Sequence, residues 1–335
     1  MAANDVNLSK IARTFCSHAQ VASNYKRLQR FIRGVTWCEG CLYRLAKGLF
    51  SLPESLLLAM DRTNWKFGEF NINILTIAIV YRGIAIPIMW KMLPKRGNSN
   101  YQERITLSER MLKVLGNTQL KGLLADREFV GKAWLAWLVK KEIPFVIRCK
   151  ENTIASNTKG QLLPLSLILR NLKPGETIIF PRKRQIMSVS LHIVATRLED
   201  GDLLILLTDA NPHKALAHYA LRWEIEQLFS CLKKRGFNFE NTHLNKEERV
   251  SNLMVVLSIA FMCAYRQGEI KTIGKTIKLK KHGYAAKSLF RIGLEALANA
   301  IFNVGRSVKP LCTIVKKLFK PPETPKNQCI QGGVL

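Results

Sequence analysis

Three stretches decide the fold: SLLLAMD at 55–61, NINILTIAIV at 71–80 and IAIPIMWKM at 84–92. Each is an apolar, β-branched run of strand length, and Tyr81, Arg82 and Gly83 join the last two as a hairpin. The reading is three consecutive strands, the first ending at the carboxylate of Asp61. A Gly- and Asn-containing loop follows at 94–100, then a helix to about Leu115 with Glu103, Arg104, Glu109, Arg110 and Lys113 as its wet positions. Residues 121–125 form another short apolar run that also ends in an acid, Asp126. Residues 131–141 predict a helix and 144–148 a strand, so the elements alternate as in a mixed or parallel α/β sheet. Active sites in such sheets gather at the carboxyl ends of strands, where Asp61 and Asp126 are both expected.

Outward from this core the texture changes. Between 151 and 209 strands are expected at 178–180, 186–195 and 203–208, with 199–202 as a hairpin turn, which reads as an all-β module inserted into the α/β core. Residues 7–50 read as helices, in which Leu28, Phe31, Ile32 and Val35 recur at helical spacing between Lys26, Arg27, Arg30 and Arg33. Such a basic face is either solvated or laid along a phosphate backbone. After Pro212 the chain is expected to be helical at 213–235, 246–267 and 284–303. The expected divisions are a basic helical region 1–52, a core in two parts, 53–150 and 210–268, the insertion 151–209 and a basic helical region 269–335.

Across 335 residues, 52 Lys and Arg face 24 Asp and Glu, a formal net charge of +28. Self-repulsion of that size is ordinarily neutralised by a polyanion, with nucleic acid the first candidate and an acidic membrane surface the second. The longest apolar run, 250–265, falls short of the roughly 18–20 residues of a membrane span and reads as a buried core helix. No apolar block of secretory type opens the chain, so a cytoplasmic location is expected. The eight cysteines read as reduced thiols, and the lone C-x-x-C of Cys38 and Cys41 has no second pair at zinc-ribbon spacing. His192, His213, His218 and His243 lack H-x-x-H or H-E-x-x-H spacing, and neither a Walker A motif nor G-x-S-x-G is present. Asp200, Asp202 and Asp209 read as turn and strand-end residues.

The chemistry is concentrated in YALRWEIEQLFSCLK at 219–233. At about 100° per residue, Tyr219, Arg222, Glu226 and Lys233 fall within about 60° of arc, whereas Glu224 points away. One face then carries a phenol, a guanidinium, a carboxylate and an ammonium. A surface row with Arg222 and Glu226 as an i,i+4 ion pair has the same spacing. Joined to the two strand-end aspartates, however, Glu226 completes the three carboxylates that two-metal phosphoryl transfer on nucleic acid requires. Arg222, Lys233 and Tyr219 would then hold the anionic substrate in register.

On these residues the chain resembles the DDE transposases of bacterial insertion sequences, in the branch marked by Y-x2-R-x3-E-x6-K. All four signature positions match in spacing. DRTNW at 61–65 and ADREF at 125–129 resemble the segments around the family's two aspartates. LPKRGN at 93–98, NYKRLQR at 24–30 and KSLFR at 287–291 extend the likeness from about residue 7 to 320. The resemblance implies a ribonuclease H-like core interrupted by a β-rich insertion. It also implies Mg²⁺ or Mn²⁺ at a two-metal site of Asp61, Asp126 and Glu226, and DNA contacts by Tyr219, Arg222, Lys233, Arg30, Lys95 and Arg96. The implied partners are transposon-end and target double-stranded DNA, bound by a homodimer in a bacterial nucleoid. The implied reaction is attack of activated water to release a 3′ hydroxyl, which then attacks target DNA. Branch members also cut through a DNA hairpin, with a flipped base stacked on a Trp of the insertion. This sequence departs there, since its six Trp lie at 37, 65, 90, 134, 137 and 223. A catalytically inactive DNA-binding remnant, or a nuclease of the same fold that cuts without joining, remains the alternative.

Overall fold

The structure, a computed structural model, describes residues 5–15, 18–275 and 286–320. Among the described residues three helices precede the sheet: α1 (Leu8–Arg13), α2 (Val21–Gly34) and α3 (Cys41–Leu49). On α2 the apolar stripe is narrower than its spacing predicts, because Ile32 is buried while Phe31 is 49% exposed. Asn252 donates to the carbonyls of Ile32 and Val35, at 2.9 and 3.1 Å, where the helix ends.

The core follows from the three opening runs. Strands β1 (Ser55–Phe67), β2 (Phe70–Tyr81) and β3 (Ile84–Met92) form an antiparallel meander. Helix α4 (Tyr101–Leu115) starts at a capping box of Asn100 and Glu103 and leads to β4 (Gln119–Ala125), then α5 (Lys132–Lys140) and β5 (Phe145–Cys149). Both β1–β4 and β4–β5 are parallel, giving the order β3-β2-β1-β4-β5. This mixed sheet, with helices before and after it, is the ribonuclease H-like architecture expected.

One expectation is corrected at β1. The strand does not stop before Asp61 but runs on to Phe67, because 62–67 still pair with β2 across the turn at Gly68. What stops at Met60 is the parallel partner, whose last paired residue is Ala125. The other hairpin does form at Arg82 and Gly83, with φ of 48° and 90°. Both values are positive, as a two-residue turn of type I′ requires. Glu224 pins that turn from below, accepting the Tyr81 and Gly83 amides at 2.9 Å each. Tyr265 donates to the Arg82 carbonyl at 2.8 Å.

The 151–209 segment is not all β. It holds β6 (Ile154–Ser156), β7 (Leu162–Pro164), a short helix α6 (Leu165–Ile168), β8 (Thr177–Ile179), β9 (Arg184–Ile186), β10 (Val189–Arg197) and β11 (Leu203–Thr208). The single strand expected at 186–195 is broken by a turn at Met187 and Ser188, both at positive φ. Strand β11 pairs antiparallel with β5 and β10 with β11, so the core sheet continues without a break into this segment.

The expected helix 213–235 is also divided, into a 3₁₀ turn at Pro212–Lys214, α7 (Ala215–Ala220) and α8 (Trp223–Leu232). Helix α9 (Glu247–Thr272) is longer than the apolar run suggested. By length and composition it could cross a membrane, but most of its apolar window is buried inside the fold, as a core helix is. Helices α10 (Leu289–Phe302) and α11 (Lys309–Leu318) close the described chain. Helix α10 docks closely because a Cβ at Gly293 would collide with the Ala264 carbonyl of α9. The parts of the basic tail at 276–285 and 321–335, with Cys16 and Cys329, lie outside the described residues.

Burial lifts the Glu224 carboxyl to about 7, against the pull of the Gly83 and Tyr81 amides. Its folded value therefore lies above the ordinary one, and the stability it confers is greatest below about pH 4.5 and lost as pH rises through about 7. Glu224→Gln should flatten the fall in thermal midpoint between about pH 5 and about pH 8. Glu224→Ala, which leaves two amides without an acceptor, should cost roughly 2–4 kcal/mol in urea unfolding.

Candidate active site

Asp61 and Asp126 are placed side by side by backbone pairing. Each directly follows a residue of the last paired position of β1 and β4, Met60 opposite Ala125, and neighbouring strands lie about 4.8 Å apart. Each carboxylate accepts the next residue's amide at 2.7 Å, Arg62 for Asp61 and Arg127 for Asp126. Asp126 thereby caps a short 3₁₀ turn, Arg127–Phe129.

The third acid arrives from the divided helix. Helical spacing placed Tyr219, Arg222, Glu226 and Lys233 on one continuous face; the structure tightens the chain between α7 and α8, where Arg222 and Ile225 bond three residues back. Tyr219 donates its hydroxyl to Asp126 at 3.3 Å. The Arg222 guanidinium binds Glu226 at 2.6 Å, lies 3.9 Å from Asp61 and stacks 5.4 Å over the Tyr219 ring. The i,i+4 ion pair and the inward cluster are therefore both present, as one arrangement. Lys233 lies past the end of α8 and is drawn elsewhere, to the Asn64 carbonyl, to Glu240 at 2.8 Å and over the Trp65 ring.

The electrostatics follow from burial. Burial raises Asp61 to about 7, with the Arg62 amide and Arg222 pulling it down and Glu128 and Glu226 pushing it further up. Burial thus favours the neutral form of this carboxyl, while Arg222, 3.9 Å away, favours the charged one. Burial pushes the Tyr219 phenol up to about 12. For Arg222 burial works against the charge, yet Tyr219, Glu226 and Asp126 outweigh it and hold the guanidinium above its ordinary value. Its Nε is buried with no acceptor.

Three carboxylates are hard oxygen donors of the kind that suit Mg²⁺ or Mn²⁺. The desolvated Asp61, with two further acids nearby, is a place where added positive charge is favourable. In the observed arrangement no group of three or more His, Cys, Asp or Glu among the described residues is close enough to hold a metal ion. Arg222 stands between two of the acids instead.

Sequence reasoning missed the scaffold around these groups. Arg62 binds both oxygens of Glu128 at 3.2 Å, and also Asn73 and Asn98 at 3.1 Å each. Asn73 in turn holds the carbonyls of Lys95 and Gly97 at 3.0 Å. Arg104, expected in solvent, is buried and donates to the Ser99 and Glu128 carbonyls. A signal did exist: Arg62 and Glu128 sit one and two positions after the aspartates, but nothing local shows that they meet. Of the remaining expected contacts, Lys95 pairs with Glu103 at 2.9 Å, Arg96 is exposed and binds Asn71, and Arg30 lies on the exposed side of α2. A cavity of about 920 Å³ beside Arg127 and Glu128 is walled on its far side by Ile154, Leu162, Gln185 and Met187 of the 151–209 segment.

The Arg62–Glu128 fork is largely shielded from water, so Arg62→Ala should cost roughly 3–5 kcal/mol in denaturant unfolding. Arg62→Lys should recover only part, because an ammonium cannot span both oxygens.

No curated protein matches the sequence significantly. Among solved structures, a piggyBac transposase synaptic complex with hairpin DNA aligns at 12% identity over 85% of this chain and 62% of that one, with a TM-score of 0.46. The chain thus spans less than two thirds of that protein's length. The catalytic domain of human endonuclease V aligns at 14% identity over 64% of this chain and 95% of that one, with a TM-score of 0.32. The NurA nuclease of Sulfolobus solfataricus aligns at 9% identity over 71% and 94%, with a TM-score of 0.24. The family pattern described as the transposase DDE domain matches residues 53–263, from the start of β1 through most of α9. That span contains Asp61, Asp126 and Glu226 and exceeds half of the sequence, and the chain belongs to the transposase DDE domain family.

Proposed function

We propose that this chain is a DNA transposase of an insertion sequence, with Asp61, Asp126 and Glu226 as the ligands of a divalent metal site. The observation that carries the reading is the convergence of three separate elements: β1 and β4 deliver adjacent aspartates, and Tyr219 and Arg222 tie the Glu226 helix to both of them. Mg²⁺ or Mn²⁺ held there would supply charge neutralisation at the scissile phosphate and would acidify the attacking water. Asp126 is oriented for this task by the Tyr219 hydroxyl and the Arg127 amide. Arg222 binds a phosphate flanking the cut, Lys233 exchanges Glu240 for another, and the net charge of +28 draws DNA toward them. The freed 3′ hydroxyl of the transposon end then attacks a phosphodiester of target DNA, joining to its phosphorus as the target strand's own 3′ oxygen leaves as a hydroxyl.

The region 1–52, with Arg30, and the loop bearing Lys95 and Arg96 bind transposon-end DNA away from the cut. The 151–209 segment forms the far wall of the cavity beside Arg127, where the strand leaving the site passes. Two copies of the chain, each with its region 269–335, hold a pair of ends.

The test is a plasmid carrying the element's own two ends, incubated with the full chain and Mg²⁺. Cleaved ends and joined products are expected; cleavage without joining would make the protein a nuclease and overturn the reading. Asp61→Asn and Asp126→Asn should each lower cleavage by roughly 10³-fold or more while leaving DNA affinity unchanged, and retained cleavage in either variant would remove that residue from the site. Arg96→Ala should weaken DNA binding and reduce the slope of log K against log salt by about 0.9, measured by a titration at several salt concentrations.

A further inference from the structure

The feature left unexplained by a carboxylate metal site is the cation already inside it. One Arg222 guanidinium is 2.6 Å from Glu226 and 3.9 Å from Asp61, and it is stacked on the phenol that binds Asp126. It therefore touches, directly or through Tyr219, all three acids. We propose that Arg222 is a placeholder cation that keeps the site from closing on a metal until a nucleic-acid phosphate draws it away, so that metal loading depends on DNA. The inference rests on the reading of Asp61, Asp126 and Glu226 as ligands and adds to it the order in which metal and substrate arrive.

Three observations carry it. First, a guanidinium and a divalent cation compete for the same oxygens, and at contact distance they repel each other in a poorly solvated site. Second, Arg222 is incompletely satisfied where it stands. Its buried Nε has no acceptor, and an unmet buried donor is costly, whereas a phosphate offers a planar fork two matching oxygens. The arginine thus has a better partner available than the carboxylates it now holds. Third, the acids differ in freedom: the Glu226 side chain is 34% exposed against 18% for Asp61. Once Arg222 is withdrawn, Glu226 is the ligand free to swing toward the two strand-held aspartates. The gain for a protein of this charge is control, because it stays metal-poor and unreactive while off DNA.

Mn²⁺ alone is the probe, titrated into the full chain and followed by the paramagnetic resonance signal of the free ion. Wild-type protein should bind Mn²⁺ weakly without DNA and more tightly when a blunt duplex oligonucleotide is added. Arg222→Gln should bind it about tenfold or more tightly without DNA, and the duplex should then add little. Arg222→Lys is the second variant should the first not fold; it lacks the two separated terminal nitrogens through which Arg222 meets Asp61 and Glu226, so it too should exceed the wild type, by less than Arg222→Gln because its charge remains. Equal Mn²⁺ affinity in the wild type and the folded variants, without DNA, overturns the placeholder role. Asp61→Asn in the Arg222→Gln background separates the two ideas. If it abolishes binding that Arg222→Gln had not strengthened, only the placeholder falls; if it leaves Mn²⁺ affinity unchanged, the carboxylates are not the metal site and both readings fall.

Discussion

The parallel pairing of β1 with β4 is the constraint on which the site depends. Hydrogen bonding runs from Ser55 opposite Gln119 to Met60 opposite Ala125, with one irregularity between Leu56 and Leu57, and then ends. A slip of one residue would turn either aspartate to the other face of the sheet, because side chains alternate. Register is held by burial on both faces: Leu58, Ala59, Met60, Leu123, Leu124 and Ala125 are all 0% exposed. The apolar run that makes the strand is thus also the ruler that positions the acid after it.

Around that pairing the protein uses charge as internal bracing. Arg62 of β1 and Glu128 of the turn after Asp126 bind each other, Arg104 holds the same turn from α4, and Asn73 ties in the backbone that carries Lys95. Glu224, two residues after Arg222, faces the opposite way and fixes the β2–β3 turn. Helix α8 consequently has two separate duties. Its Glu226 face reaches Asp61 through Arg222, while its Glu224 face anchors the helix to the meander that begins the sheet.

Most of the sheet was legible because its strands are buried, continuous apolar runs with turn residues between them. The placement of Asp61 and Asp126 after adjacent strands was legible from the apolar runs that precede them, and the pairing of Arg222 with Glu226 from their spacing. The errors share a cause. The extent of β1 beyond Asp61 depends on partners in β2, the solvent-facing look of Arg104 hides acceptors on Ser99 and Glu128, and the tightened chain at Arg222 reflects contacts with Asp61 and Tyr219. Each is a long-range interaction that no local period encodes. The continuity of the 151–209 strands with the core was hidden for the same reason, since β11 finds β5 only after more than fifty intervening residues.

That last pairing bears on how the chain can be built and varied. Strand β5 is the final parallel strand of the core, and without β11 its main chain would form a bare edge open to pairing with other molecules. The intervening segment is therefore an obligatory cap for the nucleus of the fold rather than an appendage. It joins the sheet late, through a long loop closure, and such non-local pairing slows folding. Variation in this segment should accordingly be tolerated at β6, β7 and their turns, and resisted at β10 and β11, where the main chain itself completes the sheet.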